Sequence, residues 1–380
     1  MKKAIRYLPS AVFCAAIFVI GIMFLLGGQK DYSPLEKRKL AQFPEVSAES
    51  VFDGSFGRDF ESYLNDQMPL RNFFVGVNSY YDKLCGRNGS NGIYSGKDGY
   101  LFTAPLDRTD MMNNNLKFIG EFIDDTGFDC TVCVIPSSGY VNSEKLPTVH
   151  PDYKDNELIA AIESEITSHP NARFVNITDE FVQLADDEQL YYRTDHHWTS
   201  QGAYECCKML AEPLGYTAAG EDSFEIEQYQ GFYGTNYAKS GLWFTPSETL
   251  EIWNRKNRTP GSIKVVFSEN GEEKAYDGMF FRDNLDSQDM YTAFLDGNHG
   301  CVTITNSSVD NGKSLLVLRD SYTHCLAPFL ADYYSKIVLI DLRYYVMSVS
   351  ELARNEGIDD VLFLYSLDSM VSTPDPAGVY

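Results

Sequence analysis

Two short stretches hold the residue types that could do chemistry. Residues 194–204 read TDHHWTSQGAY, and residues 314–322 read SLLVLRDSY. The chain has 6 His and 3 Trp in 380 residues, yet two of those histidines and one tryptophan follow Asp195 directly. An imidazole can take a proton from a hydroxyl near neutral pH, and a carboxylate can hold that imidazole in the required tautomer. The second stretch offers the hydroxyl. An apolar run, then Asp320-Ser321, then a helical pattern puts Ser321 at the carboxyl end of a parallel strand, where open α/β sheets place their sites. The same junction opens a helix, whose free N–H groups can hold a developing oxyanion.

A serine nucleophile needs a base within reach and a third group to orient that base. Neighbours in an extended segment point opposite ways, whereas i and i+2 share a side. Asp195 and His197 are therefore expected to face one cleft, with His196 turned away and Trp198 walling the pocket or packing beneath it. Asp195 would fix the tautomer of His197, and His197 would take the Ser321 proton. Asn298, in a Gly-flanked loop, could supply a second oxyanion donor. Arg319 could pair with a carboxylate or touch the substrate. Plainer readings stand beside these. Ser321 could be an N-cap, Asn298 ordinary turn chemistry, and the His and Trp side chains packing under a turn. Asp195, His196 and His197 could also ligate a divalent ion. No H-x-x-x-H or Cys/His set accompanies them, so neither a metal site nor a cofactor is expected.

The surrounding elements suit such a site. From about residue 91 the chain alternates strand and helix patterns: CTVCVIP, DNELIAAIESEIT, ARFVNI, LYYR and SQGAYECCKMLAEPLG, then KSLLVLRDS, KIVLIDL and DDVLFLY after an interruption. Such alternation predicts an α/β/α sandwich with a mostly parallel sheet. Residues 221–312 break the pattern with short β-like runs (ETLEIWN, SIKVVFS, GCVTITN) and read as a β-rich insertion. Aromatic residues at 231–244 would suit stacking on a sugar, or simply hairpin packing. Three regions follow: 1–28, a cytoplasmic cap and apolar anchor; 29–90, a polar stalk with an amphipathic helix broken at Pro69; and 91–380, the α/β body.

The bulk properties exclude some partners. A net charge of −23 argues against nucleic acid, since 54 Asp and Glu outnumber 31 Lys and Arg and leave no net positive charge to replace the counterions on phosphates, and it disfavours docking on anionic lipid. MKKAIR carries three cations, and LPSAVFCAAIFVIGIMFLLGG is long enough to span a hydrocarbon core. The positive-inside rule keeps Lys2, Lys3 and Arg6 in the cytoplasm, which predicts a single-pass protein at the cell membrane, its body extracytoplasmic. No clean cleavage site follows, so an uncleaved anchor is expected. Of eight cysteines, Cys14 lies in that anchor, Cys130 and Cys133 in an apolar strand, and Cys206 and Cys207 on a helix. One or two disulfides are compatible with this pattern, but no disulfide framework and no zinc site.

TDHHWTSQGAY, with GKDGYLF upstream and LLVLRDSYTHCLAPFL downstream, resembles the bacterial DHHW proteins. These are similar to the SGNH-hydrolase-like O-acetyltransferases that decorate alginate and related exopolysaccharides. LNDQMPLRNFF, VIPSSGYVNSEKLP, GNHG and IDLRYY extend the resemblance over most of the chain. It implies an SGNH-hydrolase-like body with a permuted site: Asp195 and His197 match the D-x-H-W pair, and Ser321 matches the nucleophile. The implied activity is acyl transfer through an acetyl-serine, with a polysaccharide acceptor and a multi-pass membrane-bound O-acyltransferase as acetyl supplier. A carbohydrate or acetyl esterase on the same three residues, and a non-catalytic carbohydrate-binding protein, are the alternatives. One departure stands out: the transferases carry Gly-Asp-Ser, where this chain has Arg319-Asp320-Ser321.

Overall fold

The computed structural model describes residues 2–33, 38–269 and 271–379. Lys2, Lys3 and Arg6 fall where side chains lie outside the described residues. The helices used below are α1 (Lys2–Leu26), α2 (Ser55–Gln67), α3 (Arg71–Leu84), α4 (Asp110–Thr126), α5 (Asp155–Ile166), α6 (Ser200–Met209), α7 (Thr235–Ser240), α8 (Thr323–Leu330) and α9 (Val349–Glu356). The strands are β1 (Cys130–Ile135), β2 (Ala172–Val175), β3 (Phe224–Phe232), β4 (Glu248–Arg255), β5 (Ile263–Glu269), β6 (Glu272–Asp277), β7 (Cys301–Asn306), β8 (Ser314–Arg319), β9 (Lys336–Ile340) and β10 (Asp360–Ser366).

Eight strands form one mixed sheet in the order β6-β5-β7-β9-β8-β10-β1-β2. The half from β9 to β2 is parallel, and the half from β6 to β9 is antiparallel. The expectation of a mostly parallel sheet is corrected to a mixed one. SIKVVFS and GCVTITN, from the interrupted stretch, extend this same sheet as β5 and β7, while β3 and β4 pair separately as an antiparallel hairpin.

Periodicity accounts for the layers. All six residues of β8 are buried, as expected for a strand covered on both faces. Leu315 and Val317 point into one core with Cys206 of α6 and Leu326 of α8. Leu316 and Leu318 point into the other, with Leu116 and Ile119 of α4, Ile159 of α5 and Ala353 of α9. Helix α4 shows why such a helix forms: Thr109 caps its N-terminus, Gly127 ends it at φ 68°, and Met112, Leu116, Ile119 and Ile123 make one buried stripe. The pattern broken at Pro69 becomes two helices, α2 and α3, separated at 68–70. Tyr7–Leu26 of α1 has a mean hydropathy of 2.5 and none of it is buried.

Candidate functional site

LYYR was expected as a strand, but it contributes a single bridge. Tyr191 pairs with Trp198, the Tyr192 N–H donates to His197 O at 3.2 Å, and the Thr199 N–H donates to Leu190 O at 2.9 Å. Residues 193–197 between these contacts bend instead of extending. The buried Glu248 of β4 clamps this bend by accepting the N–H groups of Arg193 (2.8 Å) and Thr194 (2.6 Å). Thr199 then caps α6.

Within the bend Asp195 is fully buried. Its Oδ2 accepts from His197 Nδ1 at 2.8 Å, and its Oδ1 accepts the Thr235 N–H, at the start of α7, at 2.8 Å. His196 is not turned away: its Nδ1 lies 3.1 Å from Asp195 Oδ1, because the i, i+2 rule holds only for extended backbone. Burial alone would push the Asp195 carboxyl up, but the imidazoles of His197 and His196 hold it well below the usual carboxylate range. It is ionised at neutral pH.

Ser321 lies between β8 and α8, as its strand–Ser–helix pattern predicts. Its Oγ is 2.7 Å from His197 Nε2. Asp195, His197 and Ser321 are thus one hydrogen-bonded chain, assembled across 124 positions. The preceding Asp320 fixes the turn: Oδ1 accepts the Tyr322 N–H at 3.1 Å, while Oδ2 accepts the Ser366 N–H and Ser369 Oγ at 2.7 and 2.8 Å. The Ser321 N–H has no hydrogen-bond partner among the described residues.

The other candidates are placed differently. Trp198 is fully buried and donates Nε1–H to Tyr322 O at 3.0 Å, so it packs beneath the site and ties the His-bearing bend to the Ser-bearing turn. Arg319 points into the core, where it bonds His299 O at 3.0 Å and lies 3.4 Å from Asp341; the position before Asp-Ser carries no group into the cavity. Asn298 is exposed, and its Oδ1 accepts from Arg343 Nη2 at 3.2 Å. It lines a cavity of about 940 Å³ with Glu269 and Tyr344, whereas Ser321 opens on a different one, of about 210 Å³, with His196, Asn236 and Arg343. The structure does not bring Asn298 to Ser321.

Asp195, His196 and His197 could hold a cation by composition, since one donor atom from each lies within 4.8 Å of the others. Both Nδ1 atoms point at the carboxylate oxygens, however, which is hydrogen-bond geometry and not convergence on a shared ion. Two tyrosines were missed by sequence reasoning. Tyr291 stacks on the His197 ring at 4.0 Å and 12°, and Tyr322 donates its hydroxyl to His196 O. Adjacency to Ser321 could have flagged Tyr322; nothing local marks Tyr291.

Residues 171–340, which include both the bend and the turn, match the family model described as DHHW protein. This segment belongs to the DHHW family. The fold agrees: a DHHW family protein from Eubacterium siraeum superposes with a TM-score of 0.66 at 22% identity, over 76% of this chain and 95% of that one. Bacillus cereus PatB1, solved with a sulfonyl adduct, gives a TM-score of 0.62 at 18% identity, over 74% and 96%. In sequence the chain is 21% identical over 241 residues to a protein named probable alginate O-acetylase AlgJ, from Pseudomonas syringae pv. tomato, covering 60% of this chain and 56% of that protein. The chain spans about half the length of the curated relatives it matches.

Proposed function

We propose that this protein transfers an acetyl group through Ser321 to a hydroxyl of a cell-surface or exported polysaccharide, on an SGNH-hydrolase-like body outside the cell membrane. The observation that carries the reading is His197, 2.8 Å from Asp195 and 2.7 Å from Ser321. Ser321 Oγ attacks the carbonyl carbon of an acetyl donor as His197 Nε2 takes its proton. Asp195 stays ionised and stabilises the imidazolium. The Ser321 N–H is the donor at hand for the oxyanion, worth about 2.7–4 kcal/mol of barrier for a well-placed group. Collapse breaks the bond to the leaving group, which takes the proton from His197. An acceptor hydroxyl then gives its proton to His197 and attacks the acetyl-serine, releasing the acetyl ester and restoring Ser321. The relatives named as O-acetylases support acetyl transfer to a polysaccharide as the reaction class.

Helix α1 serves as the anchor in this reading, with Lys2, Lys3 and Arg6 on the cytoplasmic side. Cytosolic acetyl donors cannot reach a site outside the membrane, so a multi-pass membrane-bound O-acyltransferase is the partner that would supply acetyl groups. The test is cleavage of a chromogenic acetyl ester by the full chain, compared with Ser321→Ala and His197→Ala. Wild-type cleavage that both substitutions abolish, with acetyl trapped on the Ser321 peptide by mass spectrometry, is the expected result. Adding oligosaccharide should divert acetyl from water to sugar, and a failure to do so would make the protein an esterase. Undiminished cleavage by Ser321→Ala would end the proposal.

A further inference from the structure

Helix α3 is amphipathic the wrong way round for a soluble protein. Its buried positions are Gly76 and Ser79, and a Cβ at Gly76 would sit 2.1 Å from the Trp243 indole. The outward face carries Phe73, Val77, Tyr81 and Leu84, spaced i, i+4, i+8 and i+11 so that they form one stripe. These side chains are 52%, 45%, 57% and 87% exposed. Phe244, 84% exposed, extends the patch, held by its N–H to Tyr80 Oη at 3.0 Å and by ring contact with Tyr80 at 5.5 Å. An apolar patch of this kind marks an interaction surface.

The position of the patch indicates what covers it. Phe73 lines a cavity of about 660 Å³ together with Met23, Phe24 and Gly27 at the end of α1. Phe24 meets Tyr63 of α2 edge-on at 5.8 Å, Gln29 Nε2 donates to Tyr63 Oη at 3.1 Å, and the Lys30 N–H donates to Gln67 Oε1 at 2.9 Å. The exposed stripe therefore begins where the apolar helix stops.

We propose that the outward face of α3, with Phe244, lies in the interfacial layer of the bilayer that α1 crosses, so that a lipid surface is its occupant. This rests on the reading of α1 as a membrane span. Aromatic side chains favour the headgroup level, and an interfacial helix buries its apolar face by about 5–10 Å. A net charge of −23 makes apolar burial, and not attraction to anionic lipid, the source of the binding. Trp243 lies a few residues beyond α7, whose first N–H holds Asp195. Docking thus sets the site at a fixed height near the membrane.

Trp243 is a built-in reporter. It stacks on Phe73 at 5.6 Å and 14°, while Trp198 and Trp253 are buried in the body. The full chain would be placed in nanodiscs of neutral lipid with plain or brominated acyl chains. The expected result is a loss of tryptophan emission in brominated discs that Trp243→Phe removes and that the triple change Phe73→Ser, Val77→Ser, Leu84→Ser reduces. Equal emission in the two discs, with the chain retained, overturns the proposal and leaves the face to a protein partner. A chain stripped from the discs by alkaline carbonate overturns it differently, by removing the anchor. Neither result depends on the Ser321 chemistry, which the ester assay reads separately.

Discussion

At His197 the imidazole plane is set by the parallel ring of Tyr291, and its two nitrogens are assigned by Asp195 and Ser321. The carboxylate accepts at Nδ1, so Nε2 is left as the base in the neutral ring. Asp195→Asn keeps the shape but lets an amide donate to Nδ1, which favours the other tautomer. Ester cleavage should then fall on the order of 10⁴-fold in kcat with KM little changed; a fall confined to KM would mean that the carboxylate only shapes the pocket. A second prediction concerns His324, which is buried and accepts from Arg319. Burial first, then the Arg319 charge, holds its pKa well below the ordinary value. The folded state keeps this ring neutral, while the unfolded chain binds a proton below about pH 6.5. Its contribution to stability is therefore complete above pH 6.5 and is lost as pH falls from there towards the folded pKa, by about 1.4 kcal/mol per unit. His324→Gln retains an acceptor without titrating, so urea midpoints measured at pH 7.5 and 5.5 should differ less in the variant than in the wild type. An unchanged difference would assign the acid sensitivity to other groups.

At the scale of elements, the site depends on the approach of α7 to the bend. The Gly234 N–H donates to Thr194 Oγ1 at 3.1 Å just before Thr235 reaches Asp195. A Cβ on Gly234 would lie 2.1 Å from the Asp195 Cβ. The backbone φ there is ordinary, −94°, so space and not conformation demands glycine. Gly234→Ala should cost about 1–3 kcal/mol of stability from overpacking and lower kcat at least tenfold by shifting Asp195. A variant with wild-type kcat and urea midpoint would show that the bend can yield. The elements themselves were largely legible in the sequence, because β1, β8, β9 and β10 are short apolar runs bounded by polar turns, and α4 to α6 show helical spacing. Strand pairing was not. An apolar run shows that a strand is two-sided but not which strand lies beside it, so the joining of β5 and β7 to the main sheet was invisible. The same limit explains the site. Asp195, His197 and Ser321 could be picked by chemistry, whereas His196 was misplaced because the bend follows from Glu248, about fifty residues away, and Asn298 because its loop closes on Arg343.

On the scale of the whole molecule, a sheet covered on both faces leaves few places for a thiol except the core. None of the eight cysteines is paired; Cys14 and Cys85 are exposed, and Cys130, Cys133, Cys206, Cys207, Cys301 and Cys325 are buried. The C-x-x-C pair lies inside β1, every residue of which is buried. Burial pushes the thiols of Cys130, Cys207 and Cys325 up to about 12 and that of Cys301 up to about 11. Reaction with a maleimide needs both access and the thiolate, so the folded body should withhold all six buried thiols. With Cys14 inside the membrane-spanning helix of the proposed anchor, a membrane-impermeant maleimide should label Cys85 alone on the native full chain. After denaturation without reductant, all eight should react. Mass spectrometry of the labelled peptides reads both counts. Native labelling of a core cysteine would show that the layers open on the timescale of the reaction. Fewer than eight labels after denaturation would reveal a disulfide; Cys133 and Cys206 are the first pair to examine, because Cys206 meets Cys133 in the core, where burial and that contact both raise its pKa.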